Sequence, residues 1–245
     1  MVNRYQSSPL PQWMNPIVQF PIDITAVAFD LDGTLVDTLP DLHEAANRTL
    51  AELGRAPVML DQVRDYVGDG VDRLVKRILT GDTAGEPEVD LFERARASFG
   101  EHYWQTLSRA SHLFPGVLEA LDRMRSLGLL LACVTNKPGK FTLPLLQSVG
   151  LLPRLDLIVS GDSLDRKKPD PLPLTHCAER FGISPDRLLV IGDSRNDTLA
   201  ARAAGCPVFC VPYGYRGGVG VRELDCDAIV ATVSESLALI RPIRS

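Results

Sequence analysis

The sequence predicts an α/β fold: a doubly wound, Rossmann-like parallel sheet interrupted once by an inserted helical cap. Three observations predict it. Short β-branched runs recur along the chain, helical patterns separate them, and one long interval lacks any strand signal. The first run is ITAVAFD, Ile24 to Asp30, closed by a turn at Gly33. A brief, wholly apolar run of this kind is how a strand buried on both faces reads. LLLACVT (129–135), LDLIVS (155–160), RLLVIG (187–192) and PVFCVP (207–212) repeat the theme. Helical periodicity lies between them, at 116–127, 143–149, 172–181 and 198–204. Strands that alternate with helices form parallel sheets, because each crossover needs a helix's length of chain.

The exception runs from about Pro40 to about His112. There LHEAANRTLAEL, DQVRDYV, VDRLVKRIL and VDLFERARASFGEHYWQTL carry apolar and small positions in helical steps, punctuated by Gly54, Gly68 and Gly81. The expected organisation is a core of 24–39 and 113–245, a helical cap of 40–112, and an arm of 1–23. The arm contains Pro9, Pro11, Pro16 and Pro21 and is expected to be loosely ordered. The alternative is that Tyr5, Trp13 and Phe20 dock on the body or on a partner. No run is apolar for long enough to be a signal h-region or a membrane span.

Composition narrows the function classes. The chain has 245 residues and a formal net charge of -5, which disfavours general binding to nucleic acid or anionic lipid. Anionic small molecules would have to meet positive charge concentrated locally. Five cysteines without a close CxxC pair suit reduced thiols and a cytoplasmic protein. The four scattered histidines show no zinc spacing. A monomer or homodimer is expected.

Ligands of open α/β sheets bind outside the carboxyl ends of the strands. The first strand ends in Asp30-Leu31-Asp32-Gly33-Thr34, and Asp30 and Asp32, two apart on an extended segment, can face one space. A later strand ends in Gly192-Asp193-Ser194, with Asp197 close behind. Two like charges 4 Å apart repel by about 4 kcal/mol at an effective dielectric of 20. Converging carboxylates therefore need a proton or a cation, and an oxygen-only donor set points to Mg²⁺. The alternative is that these aspartates merely cap helices and turns. Thr135 and Asn136 close another strand and offer a hydroxyl and an amide to phosphate oxygens. Lys168, which precedes Pro169 and is held out of helical geometry, could neutralise phosphate, with Lys167 a rival for the role. The Gly68-Asp69-Gly70 turn is a candidate cap loop, or a simple interhelical turn.

DLDGTLVDT, VTNKP, KKPDP and GDSRNDTLAARAAG, in that order, resemble the four motifs of the phosphatase branch of the haloacid dehalogenase superfamily. The resemblance spans nearly the whole chain from about residue 24. It implies Asp30 as nucleophile and Asp32 as general acid and base, with the Asp32 backbone carbonyl also reaching Mg²⁺. It implies Asp193 as a further metal ligand, with Ser194 and Asp197 supporting. Gly33, Thr34, Thr135, Asn136 and Lys168 would hold phosphate, and Lys168 would be the motif lysine. A true dehalogenase lacks the second aspartate, so Asp32 argues for phosphoryl transfer. The insertion resembles that of members with a small helical cap. DTLPDL, YVGDGVDRLVKRIL, TNKP and PYGYRGG resemble bacterial phosphoglycolate phosphatases more narrowly. The expected substrate is a small phosphorylated metabolite.

Four other functions stay open at this point. They are a phosphosugar mutase, a phosphatase for a nucleotide, sugar phosphate or pyrophosphate, a phosphoaspartate signalling receiver, and a catalytically idle binding module. Receivers are shorter and lack so long an insertion after the first acidic strand end. No member of the constellation is missing, as an idle module would allow. A dinucleotide site is disfavoured because no GxGxxG follows the first strand.

Overall fold

The computed structural model describes residues 18–243. It begins with β1 (Ile22–Ile24), a bend at Thr25, and β2 (Ala26–Phe29). A two-residue strand, β3 (Val36–Asp37), leads into helices α1 (Leu39–Glu52), α2 (Leu60–Tyr66), α3 (Val71–Thr80) and α4 (Val89–Thr106). The chain returns through β4 (His112–Leu113), which pairs antiparallel with β3 and forms a neck below the four helices. Then follow α5 (Val117–Ser126), β5 (Leu130–Val134), α6 (Gly139–Ser148), β6 (Leu157–Val159), α7 (Leu172–Phe181), β7 (Leu188–Gly192), α8 (Arg195–Ala204), β8 (Val208–Cys210), β9 (Ala228–Ile229) and β10 (Ile240–Pro242).

The main sheet has the order β6-β5-β2-β7-β8-β9, and every pairing in it is parallel. Both faces are covered, as the apolar runs require. Val27, Phe29, Leu131, Cys133, Leu189 and Ile191 point into one cluster with Val117, Leu121 and Met124 of α5 and Leu145 of α6. Ala26, Ala28, Ala132, Val134, Leu188 and Val190 point the other way, onto Leu174 and Cys177 of α7 and Ala200 and Ala201 of α8. Successive residues of one strand thus serve opposite layers.

The cap has its own core. In α1 the buried positions Leu39, Leu42, Ala46 and Leu50 recur in helical steps and face Val63, Leu74, Ile78, Phe99 and Tyr103. Phe141 of α6 and Tyr215 join the same cluster, so the body supplies part of the cap's packing. Asp41, fully buried, accepts hydrogen bonds from the backbone N–H of Ala110 (2.9 Å) and Ser111 (3.0 Å). It fastens the outgoing and returning chains together.

Two boundaries differ from expectation. The first apolar run is two strands, since Ile24 belongs to β1 and pairs with β10 rather than with the main sheet. Ile22 and Asp23, expected in the arm, belong to β1, and the Phe20 ring lies 5.9 Å from that of Phe209. The added strand covers apolar surface that a free arm would leave exposed. Tyr5 and Trp13 lie outside the described residues. No helix among the described residues is long and apolar enough to cross a membrane.

Candidate active site

From β2 the chain builds outward through β5 to β6, then jumps back to β7 on the opposite side. The crevice at such a reversal collects the residues that follow each strand. Phe29 is in register with Ile191, and the Asp30 N–H donates to the Ile191 carbonyl at 2.9 Å. Asp30 and Asp193 therefore leave adjacent strands side by side. Thr135 leaves β5 on the other flank, and Lys168 arrives from the loop after β6.

Carboxylate oxygens of Asp30, Asp193 and Asp197 lie within 4.8 Å of one another. Asp193 is held on both oxygens, by the Thr34 hydroxyl (2.7 Å) and the Tyr215 N–H (2.5 Å). Asp197 takes the third position of α8 and accepts from Ser194 N (3.0 Å) and Ser194 Oγ (2.6 Å), so it caps its own helix. Its other oxygen accepts from Lys168 Nζ at 2.6 Å, and the same ammonium donates to Asp30 Oδ1 at 2.7 Å. One lysine does not balance three acids. Burial, only partly offset by Lys168, pushes the Asp30 carboxyl up to about 7. Burial and then Asp30 and Asp197 raise Asp193 well above the carboxylate range. Burial opposes the Lys168 charge, but Asp197 and Asp30 outweigh it and hold its pKa above the ordinary lysine value. A hard divalent cation on these oxygens would relieve the excess negative charge, so the donor set fits one.

The Asp32 side chain does not join this group, contrary to the reading that placed it with Asp30 and Asp193. The strand has ended, and the chain turns so that Gly33 N–H donates to the Val36 carbonyl. The Asp32 carboxylate accepts instead from the Thr38 hydroxyl (2.7 Å) and from Lys137 Nζ (2.9 and 3.1 Å). Neighbouring carboxylates thus face different cations. Lys137 was missed by the sequence reading, although it stands beside Asn136 in the same strand-end segment. Burial opposes its charge, while Asp32 and Tyr103 outweigh that penalty and raise its pKa.

The expected phosphate-binding residues divide. Thr135 and Asn136 line the same cavity as Asp30 and Asp32. Thr34 is committed to Asp193. Gly33, at φ +89°, permits a close approach: a Cβ there would lie 2.8 Å from Asp193 Oδ2. Of the two adjacent lysines, Lys168 reaches the acids, whereas Lys167 donates to the Asp69 carbonyl of the cap at 2.7 Å.

The Gly68-Asp69-Gly70 turn reaches the strand ends. The Gly68 carbonyl accepts from Asn136 Nδ2 (2.9 Å) and Asn196 Nδ2 (3.2 Å), and Asp69 Oδ1 accepts from Asn196 Nδ2 at 2.8 Å. The turn lines a cavity of about 40 Å³ beside Asp30 and Asp32, whose cap wall is Leu42, Val67, Val71 and Leu74.

Residues 27–211 match the family of haloacid dehalogenase-like hydrolases. The phosphoglycolate phosphatase of Thiobacillus denitrificans is 53% identical over 221 residues, which are 90% of this chain and 97% of that one. That of Nitrosospira multiformis is 54% identical over 224 residues, 91% of this chain and 99% of that one. Among solved structures, a predicted phosphoglycolate phosphatase from Haemophilus somnus 129pt superposes with a TM-score of 0.83 at 34% identity. The match covers 87% of this chain and 96% of that one.

Proposed function

The chain belongs to the haloacid dehalogenase-like hydrolases, and we propose that it converts 2-phosphoglycolate to glycolate and phosphate through a phosphoaspartate on Asp30. The observation that carries this reading is the pair Asp30 and Asp32. The two carboxylates line one cavity, yet each has its own lysine: Lys168 for Asp30 and Lys137 for Asp32. One can serve as nucleophile while the other handles protons. The names of the relatives described above support the choice of substrate, and the small cavity suits a two-carbon tail.

In the first half-reaction an Asp30 oxygen forms a bond to phosphorus while the ester P–O bond breaks. Asp32 gives its proton to the departing glycolate oxygen. Asp32 then takes a proton from water, whose oxygen attacks the phosphoaspartate. That releases phosphate and restores the Asp30 carboxylate. Lys168 fixes Asp30 and offsets charge on the phosphoryl group, and Thr135 and Asn136 orient its oxygens. Asp30, Asp193 and the Asp32 backbone carbonyl would hold Mg²⁺, with Asp197 orienting the site from behind. The bound ion supplies charge neutralisation to the phosphoryl oxygens. Most of the acceleration then comes from positioning and electrostatic stabilisation.

Phosphate release from 2-phosphoglycolate is expected with Mg²⁺ and is expected to stop with EDTA. Asp30→Asn should reduce kcat by at least about 10³-fold while the protein stays folded. Substantial turnover by this variant would sink the nucleophile assignment. Asp32→Asn should form phosphoenzyme from an ester with a good leaving group, then hydrolyse it poorly. Normal steady-state turnover would remove the acid–base role.

A further inference from the structure

Beyond the two reacting carboxylates the cavity changes character. Leu42, Val67, Val71 and Leu74 offer a ligand no hydrogen-bond donor from their side chains, and among the described residues Lys137 is the one cation in the lining. Lys137 is sealed from solvent, with 2% of its side chain exposed. Its Nζ lies 2.9 and 3.1 Å from the two Asp32 oxygens and 4.7 Å from the centre of the Tyr103 ring. The Tyr103 hydroxyl is fully buried and interacts with the same ammonium, which helps hold the Lys137 charge.

We infer that Lys137 binds a substrate carboxylate carried on the carbon bonded to the ester oxygen. The inference rests on the phosphatase reading above and deepens it. Asp32 must lie one hydrogen bond from the ester oxygen to protonate it, and Lys137 lies one hydrogen bond beyond Asp32. A carboxylate on the adjacent carbon sits at about that remove, within reach of the ammonium proton not committed to Asp32. A carboxylate on a longer tail is carried toward the apolar cap wall, where desolvation is uncompensated. A neutral tail leaves the ammonium without an anionic partner from the ligand. Lys137 is therefore a specificity residue that measures how far charge stands from phosphate.

The test compares kcat/KM with Mg²⁺ present for 2-phosphoglycolate, ethyl phosphate and 3-phosphonooxypropanoate, whose tail is one methylene longer. The wild type should prefer 2-phosphoglycolate over both others. Lys137→Met should shrink that preference by about 10- to 100-fold, over and above any loss common to all three esters through its contact with Asp32. Lys137→Arg, which keeps the positive charge, should retain most of the preference, whereas Lys137→Gln should lose it, and this pair decides the matter if Lys137→Met does not fold. A wild-type enzyme that acts on all three esters equally, or on none, overturns the substrate reading and the subsite with it. A clear wild-type preference that persists unchanged in the folded variants overturns the subsite alone.

Discussion

Asp30 and Asp32 stand two residues apart, yet they face different lysines, Lys168 and Lys137. Asp30 sits in an acid cluster whose burial lifts its pKa from an ordinary 3.8 to about 7. Because the folded state then binds the proton more tightly than the unfolded chain does, the metal-free protein is favoured at low pH. It loses that advantage as pH climbs from about 4 to 7, by something on the order of 4 kcal/mol for Asp30 alone. A divalent cation offsets this cost only once the carboxylates are ionised. Added Mg²⁺ should therefore raise the melting temperature more at pH 8 than at pH 5.5, and EDTA should cancel the rise. Equal shifts at the two pH values would contradict this account. The cluster is also tightly enclosed: a Cβ at Gly214 would lie 2.3 Å from the Asp193 Cβ. Gly214→Ala must displace Asp193, and titration calorimetry should show Mg²⁺ binding weakened by about tenfold or more. Unchanged affinity would show that Asp193 does not hold the ion.

Elements place these residues by simple devices. Pairing of β2 with β7 puts Asp30 beside Asp193, and the α8 cap gives Asp197 a structural task as well as a place in the acid group. Asp41 of α1 does comparable work at the neck, where the Ala110 and Ser111 N–H groups converge on its carboxylate. Asp41→Ala would strand these buried donors, and urea unfolding should show a loss of about 2–4 kcal/mol. A change under about 0.5 kcal/mol would mean that the neck draws its stability from packing alone. Much of this level was legible in the sequence, because strands buried on both faces must be apolar throughout. The helix at 172–181 was read at its observed bounds, whereas β1, β9 and β10 were not read as separate strands. Two- and three-residue strands carry too few side chains to show a period.

For the whole molecule, the cap is fastened over the body by Asn136, Lys167 and Asn196, all donating to the 68–70 turn. Asn196→Ala should speed hydrogen exchange at residues 67–71 with little change in the sheet, and should raise KM more than it lowers kcat. Exchange that stays as slow as in the wild type would show that Asn196 contributes nothing to closure. The negative chain charge of -5 and the buried lysines belong together. Lys137 and Lys168 concentrate cationic charge at the site, each with less than a twentieth of its side chain exposed.

The α/β class, the helical insertion and the acids at the strand ends were determined by the sequence itself. Periodicity and strand-end chemistry are local properties, written within a few residues of where they act. Only the tertiary structure decided which acid meets which cation. Lys137 is 105 residues from Asp32, and Tyr215 is 22 from the Asp193 it holds. Such pairings leave no period along the chain. They exist because parallel strands out of sequence order bring distant loops to one crevice, and because a helical cap closes over it.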